Sequence, residues 1–210
     1  MRYEMRYEIK HDEWAESPRE WSNLGRMGCH HNKYHLGDLE WSHTIKNIVN
    51  ESGSWTEVKD ALIEEANEMN NPIKVILPLN LYDHSGISMS IGEGSGWDNG
   101  VVGFIWATQN DILEWFQVDS IDDEILERTH SALNAEVSDY DTYIRGEVYE
   151  YIIYDDNDEV IESCCGFFGY EDAEKEAEAM IKLLEHKNAI EALALYNKAI
   201  IEGHSRRVAK

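Results

Sequence analysis

The stretch "GEVYEYIIYDDNDEVIESCCGFFG" (Gly146–Gly169) joins two runs of β-branched and aromatic residues through "DDND" at 155–158. Asp and Asn tolerate turn backbone conformations, so the stretch reads as a β-hairpin. A hairpin makes the local sheet antiparallel. The elements on either side then decide the fold class.

"SWTEVKDALIEEANEMN" (54–70) opens with Ser54 and Glu57 at capping-box spacing, and Val58, Leu62, Ile63 and Ala66 lie along one helical face. Pro72 forbids its continuation. "IKVILPLNLYDHSG" (73–86) follows as a strand too apolar on both faces to lie exposed. Pro78 lacks the N–H a ladder needs, which places a bulge or an edge there. "ISMSI" (87–91) and "VVGFIWAT" (101–108) continue the strands around a glycine-rich connection. Helical patterns follow at 109–117 and 121–135. After the hairpin, Ala173, Ala177, Met180, Ile181 and Leu184 recur at helical spacing, with Gly203 as the expected stop. "RYEMRYEI" (2–9) suits an edge strand, and 11–44 shows no clear period.

The resulting order, β–α–βββ–αα–ββ–α, predicts an α+β protein with an antiparallel sheet, packed helices and a long C-terminal helix. With only three prolines and no Gly/Ser-rich linker, a single domain is expected. It comprises an acidic body at 1–170, a helix packed on it at 171–203, and a basic tail at 204–210.

The formal net charge is −24, from 42 acidic and 18 basic residues among 210. Such an excess disfavours direct nucleic-acid binding, where Lys and Arg must displace counterions from phosphates. Anionic membrane surfaces are disfavoured likewise. Solubility explains mild acidity, but here the excess is clustered. Residues 111–178 hold 22 acidic side chains and three basic ones. That crowding favours a field directed at a cationic partner.

The charged start "MRYEMRYEIK" is no secretory signal, and no apolar run approaches the roughly 20 residues of a membrane helix. Cys29, Cys164 and Cys165 make an odd count containing an adjacent pair. Together these features predict a cytoplasmic, reduced protein.

Three motifs raise the question of chemistry. Asp83-His84-Ser85 invites a triad reading, but neighbours on a strand point to opposite faces and cannot orient one another. The glycines of "GEGSGWDNG" (92–100) have no Lys-Ser/Thr after them, and Glu93 and Asp98 repel phosphate, so positive φ in a long connection is their better account. Cys29, His30, His31 and His35 offer the right atoms for zinc at a spacing that fits no standard pair. "DDNDE" lacks the glycine and distal glutamate of a calcium loop. No catalytic residue, metal or cofactor is assigned. A metal-dependent hydrolase using Cys29, His30, Asp83 and His84 stands as the alternative, with a phage accessory or assembly factor as a third reading.

Three blocks in order carry a resemblance: "EWSNLGRMGCHHNKYHLGD" (20–38), "LPLNLYDHSGISMS" with "WDNGVVGFIW" (77–106), and "YDTYIRGEVYEYII" with "VIESCCGFFG" (140–169). They resemble an uncharacterised family of small acidic proteins encoded by phages and plasmids of Gram-positive bacteria. The chain departs from that pattern at Ser22 and Cys165. The resemblance implies a mobile-element setting, and with the acidity it leads to the expectation of a counter-defence protein. This would be a non-enzymatic, nucleic-acid-mimicking inhibitor of a host restriction or CRISPR nuclease, acting in the host cytoplasm on a basic surface. The expected partner-binding residues are Asp119, Asp122, Asp123, Glu124, Glu147, Glu150, Asp155, Asp156, Asp158 and Glu159. Asp83, His84, Ser85, Trp97 and Asp98 form a candidate recognition loop.

Overall fold

In the computed structural model, which describes residues 5–92 and 99–208, the strands sort into two antiparallel sheets. In chain order the elements are β1 (Arg6–His11), a 3₁₀ turn (Pro18–Glu20), β2 (Arg26–Cys29), α1 (Leu39–Glu51), α2 (Trp55–Glu68), β3 (Ile73–Asp83), β4 (Ile87–Ile91) and β5 (Asn99–Thr108). They continue with α3 (Gln109–Phe116), α4 (Asp123–Ile144), β6 (Val148–Tyr154), β7 (Val160–Phe168) and α5 (Tyr170–Val208). One sheet has the order β2-β5-β3-β4 and the other β1-β6-β7.

The contacts divide the chain in the same way. Glu16–Gly146 form one compact unit, and Met1–Ala15 with Glu147–Lys210 form another. The α+β class with antiparallel sheets and a long C-terminal helix holds. The span 1–170, expected as one domain, is divided between the two units. The physical reason is that each sheet buries its apolar face under its own helices.

In the unit Glu16–Gly146 the sheet is covered on both faces, which is why β3 is apolar on both. Val75, Leu79 and Leu81, with Ile105 and Ala107 of β5, share a core with Leu133, Val137 and Tyr140 of α4. On the opposite face Phe104 and Trp106 pack with Ile45 of α1 and Val58 and Leu62 of α2. Adjacent strand residues point to opposite faces, so Ile105 and Trp106 serve different cores.

Pro78 is accommodated without losing a ladder bond. β3 pairs with β4 only from Leu79 onward, and the Pro78 carbonyl accepts the Gly92 N–H at 2.9 Å. Its nitrogen therefore faces the side where β4 is not yet paired. An irregularity in the β3–β5 register follows between Leu79 and Asn80.

The segment 11–44 is more ordered than expected. It contains the short β2 and the start of α1, a helix whose Trp41, Ile45, Ile48 and Val49 face the second core. That is an i, i+4, i+7, i+8 stripe, but only Trp41 of it falls within 11–44, and a four-residue strand is too short to show a period.

In the other unit β1 is an edge strand, and β6 and β7 form the hairpin, with register shifts beside Glu150 and at Ile161. Tyr151 and Ile153 pack against Ala177 of α5, with Met180, Ile181 and Leu184 at the margin. α5 passes through Gly203 to Val208, contrary to the expected stop and the expected 204–210 tail. One interior glycine costs only about 1 kcal/mol relative to alanine, which does not end a helix by itself.

Gly25 precedes β2 at a point of close approach. A Cβ built there would lie 2.5 Å from Leu133 Cδ2, 2.8 Å from Ile105 Cδ1 and 2.9 Å from Glu136 Oε2. Two of these neighbours are fully buried. Gly25→Ala is expected to lower stability by about 1–3 kcal/mol, as overpacking does. Urea unfolding of the full chain measures it, and an unchanged midpoint would show that the contact relaxes freely.

Candidate functional site

A buried guanidinium positions the segment that carries the histidines. The Arg19 side chain is 4% exposed and bonds Asp38 Oδ1 through Nε at 2.7 Å, Glu136 Oε2 through Nη1 at 2.8 Å and the Gly25 carbonyl through Nη2 at 2.6 Å. The two carboxylates also accept backbone N–H groups, Asp38 from Met27 and Glu136 from Leu24 and Gly25. Gly37 sits at φ +70°, where a side chain is disfavoured, and donates its N–H to the Tyr140 hydroxyl at 2.9 Å. The loop from Cys29 to Asp38 is thus held at both ends.

This loop meets the turn between β3 and β4. Lys33 Nζ lies 2.9 Å from Asp83 Oδ2, and the Tyr34 hydroxyl donates to Asp83 Oδ1 at 3.1 Å. His31 stacks on Tyr34 with ring centroids 5.1 Å apart, and its Nδ1 accepts the Lys33 N–H. The Lys33 hydrogen bond holds the Asp83 carboxyl below the usual carboxylate range. Two motifs that lie 50 residues apart in the chain are therefore one structural cluster.

The same geometry disposes of the triad. Asp83 is engaged by Lys33 and Tyr34, the His84 ring lies near Tyr82, and Ser85 occupies a turn position at φ +55°. Trp97 and Asp98 lie outside the described residues.

Beside the cluster, a cleft of about 390 Å³ opens between the Cys29–Gly37 loop and the first turns of α1. His30, His31, His35, His43 and Lys46 supply its polar lining. Ser42 ties loop to helix, accepting the Cys29 N–H at 3.1 Å and donating to the Leu36 carbonyl at 2.7 Å. Among the described residues, no three His, Cys, Asp or Glu side chains gather as a metal ion requires. Cys29 is buried, and burial pushes its thiol up to about 12, far from a nucleophilic thiolate.

The candidate acidic residues are distributed between the two units. Asp119, Asp122, Asp123 and Glu124 lie at the start of α4, all exposed. Asp122 is its N-cap and accepts the Ile125 N–H at 2.9 Å. In the other unit Glu147 and Glu150 are half-buried, whereas Asp156, Asp158 and Glu159 are exposed. Asp155 builds the turn: its carboxylate accepts the N–H groups of Glu159 and Asn157, which hold its pKa low. Asp158, at φ +62°, pairs with Arg6 at 2.8 Å. Sequence reasoning missed Arg19, Lys33, Tyr34 and Glu136, whose partners are distant in the chain and leave no local signal.

Comparison with family models, curated proteins and solved structures finds no match.

Two measurements check this geometry. Lys33→Ala is expected to raise the Asp83 carboxyl midpoint towards the ordinary value of about 3.9, read by carbon-13 NMR titration. Because the folded pKa is depressed, the Asp83 contribution is present above that ordinary value and is lost as pH falls through the folded one. Thiol labelling of the native chain should modify Cys164 and Cys165 rapidly and Cys29 only on unfolding. Equal labelling of all three would contradict the burial of Cys29.

Proposed function

We propose that the protein acts without catalysis, as an acidic inhibitor that occupies the basic nucleic-acid-binding surface of a host protein such as a restriction or CRISPR nuclease. The observation that carries this reading is charge. The unit Glu16–Gly146 has 23 acidic residues against 8 basic ones. Among those cations, Arg19, Arg26 and Lys33 are already paired with carboxylates. At the start of α4, Asp123, Glu124 and Glu127 remain exposed to solvent.

A protein groove built for duplex DNA meets one negative charge per about 1.7 Å of axis. Carboxylates fixed on a helix and on caps present a comparable field without the flexibility of a disordered acidic tail. Complementary potentials also steer encounter and raise association rates. The mobile-element resemblance supports the same target class, and a host cytoplasmic location belongs to the proposal. Among the described residues no helix is long and apolar enough to cross a membrane.

The test is competition. Partners captured from host lysate on the immobilised full-length protein should be displaced by duplex DNA and by added salt. A purified partner should lose DNA binding as the protein is added. Charge reversal of Asp123 and Glu124 to Lys should weaken the complex, each rim charge contributing about 0.2–1 kcal/mol. Partners indifferent to both DNA and salt would remove the mimicry.

A further inference from the structure

We infer that the cleft between the Cys29–Gly37 loop and α1 binds a small phosphate monoester. This rests on observations separate from those behind the inhibitor reading. The chain has 42 acidic residues, yet no carboxylate lines this cleft, whose charged and titratable lining is four imidazoles, one ammonium, one phenol and one buried thiol. Two carboxylates of the neighbouring segments are engaged elsewhere, Asp38 by Arg19 and Asp83 by Lys33. A recess lined by imidazoles and an ammonium, with no carboxylate in its lining, is a local exception in an acidic chain.

The donors fit phosphate better than carboxylate. His31 accepts the Lys33 N–H through Nδ1, which places its own proton on Nε2. Lys46 offers three N–H groups, and His30 and His35 add one each in either neutral tautomer. His43 contacts the Leu39 carbonyl through Nδ1 at 3.3 Å and contributes charge when protonated. Donors spread around a recess suit a group with three terminal oxygens and nearly two negative charges. A carboxylate has only two oxygens to offer.

Size and rigidity point the same way. About 390 Å³ lies within the range of small-molecule pockets, roughly 300–1,000 Å³. Leu36 and Leu39 in the lining suit the organic part of an ester. The net charge of the chain opposes a polyanion, whereas a small monoester senses mainly its immediate surroundings. Ser42 and the His31–Tyr34 stack hold the walls in place before any ligand arrives, which lowers the ordering cost of binding.

The experiment titrates the full-length protein with inorganic phosphate, phenyl phosphate and benzoate, following the histidine ring resonances by NMR. Saturable movement of His30, His31, His35 and His43 is expected, with His130 on α4 unmoved. Phenyl phosphate should bind more tightly than inorganic phosphate, and benzoate least. Lys46→Ala and His35→Ala alter exposed side chains and should each weaken phenyl phosphate by about tenfold, the loss of one charge-assisted hydrogen bond. An unchanged His130 resonance reports that each variant is folded. The inference is overturned if binding does not saturate, if His130 moves equally, if benzoate matches phenyl phosphate, or if both variants bind like the parent. Displacement of phosphate by zinc with the same rings moving would overturn it too.

Discussion

The Arg19 guanidinium, closed in between Asp38 and Glu136, is the constraint on which the larger unit depends. Removing one cation and two carboxylates from water costs several kcal/mol per ion unless every lone pair and proton finds a partner. Here four of the five guanidinium N–H groups are bonded, one of them to the Gly25 carbonyl, while Leu24, Gly25 and Met27 direct N–H groups at the carboxylates. One cation faces two anions, and the surplus negative charge is carried by those backbone dipoles. The arrangement tolerates little displacement, since moving any member leaves a buried charge uncompensated.

What this network supplies is position rather than cohesion. The segment from Ser17 to Asp38 contains a single turn of 3₁₀ helix and the four-residue β2. It is anchored in the core by Leu24, Met27, Cys29 and Leu36, and by the pairing of β2 with β5, and the polar network adds the tie to the helices. Arg19 joins it to α4 through Glu136 and to the start of α1 through Asp38, the N-cap of that helix. The Cys29–Gly37 loop hangs between these fixed points, and the Lys33 and Tyr34 contacts to Asp83 follow from where it is held. The cleft is thus a consequence of a polar network some distance from its opening.

Local signals in the sequence carried far in this fold and then stopped. "DDND" announced the hairpin because turn geometry is a property of those residues themselves. Ser54 announced the start of α2, and its hydroxyl does accept the Glu57 N–H. The strand alternation invoked for Asp83-His84-Ser85 does not extend over all three, since β3 ends at Asp83 and Ser85 lies in the turn at φ +55°. By contrast, the pairing of Glu8 with Ile152, which brings the chain ends into one unit, and the Arg19–Glu136 bond join residues more than a hundred positions apart. Such contacts satisfy no local preference, so neither the two-unit division nor the histidine cleft could be read from periodicity. At the hairpin tip the turn was legible, but the bonds from the Asn157 and Glu159 N–H groups to Asp155 and the pairing of Asp158 with Arg6 were not.

The acid surplus itself has a partly structural explanation, and this bears on its proposed use. Asp122 caps α4 with Asp123 and Glu124 in its first turn, Asp111 completes the capping box of α3 with Thr108, Glu57 stands in the first turn of α2, and Glu171 and Asp172 begin α5. Carboxylates at these places are stabilised by the helix dipole and by orphan N–H groups, so a chain can hold many of them without unfolding from self-repulsion. Capping does not hide such charges: Asp122 and its two neighbours on α4 stay exposed while their backbone is fixed. A cap therefore does for a carboxylate what the sugar backbone does for a phosphate, holding a negative charge at a defined place on a rigid frame. Helix-start acids that stabilise the fold are for that reason better candidates for mimicry than glutamates farther along α5, such as Glu174 and Glu178, which are held by the side chains of Tyr7 and Lys182.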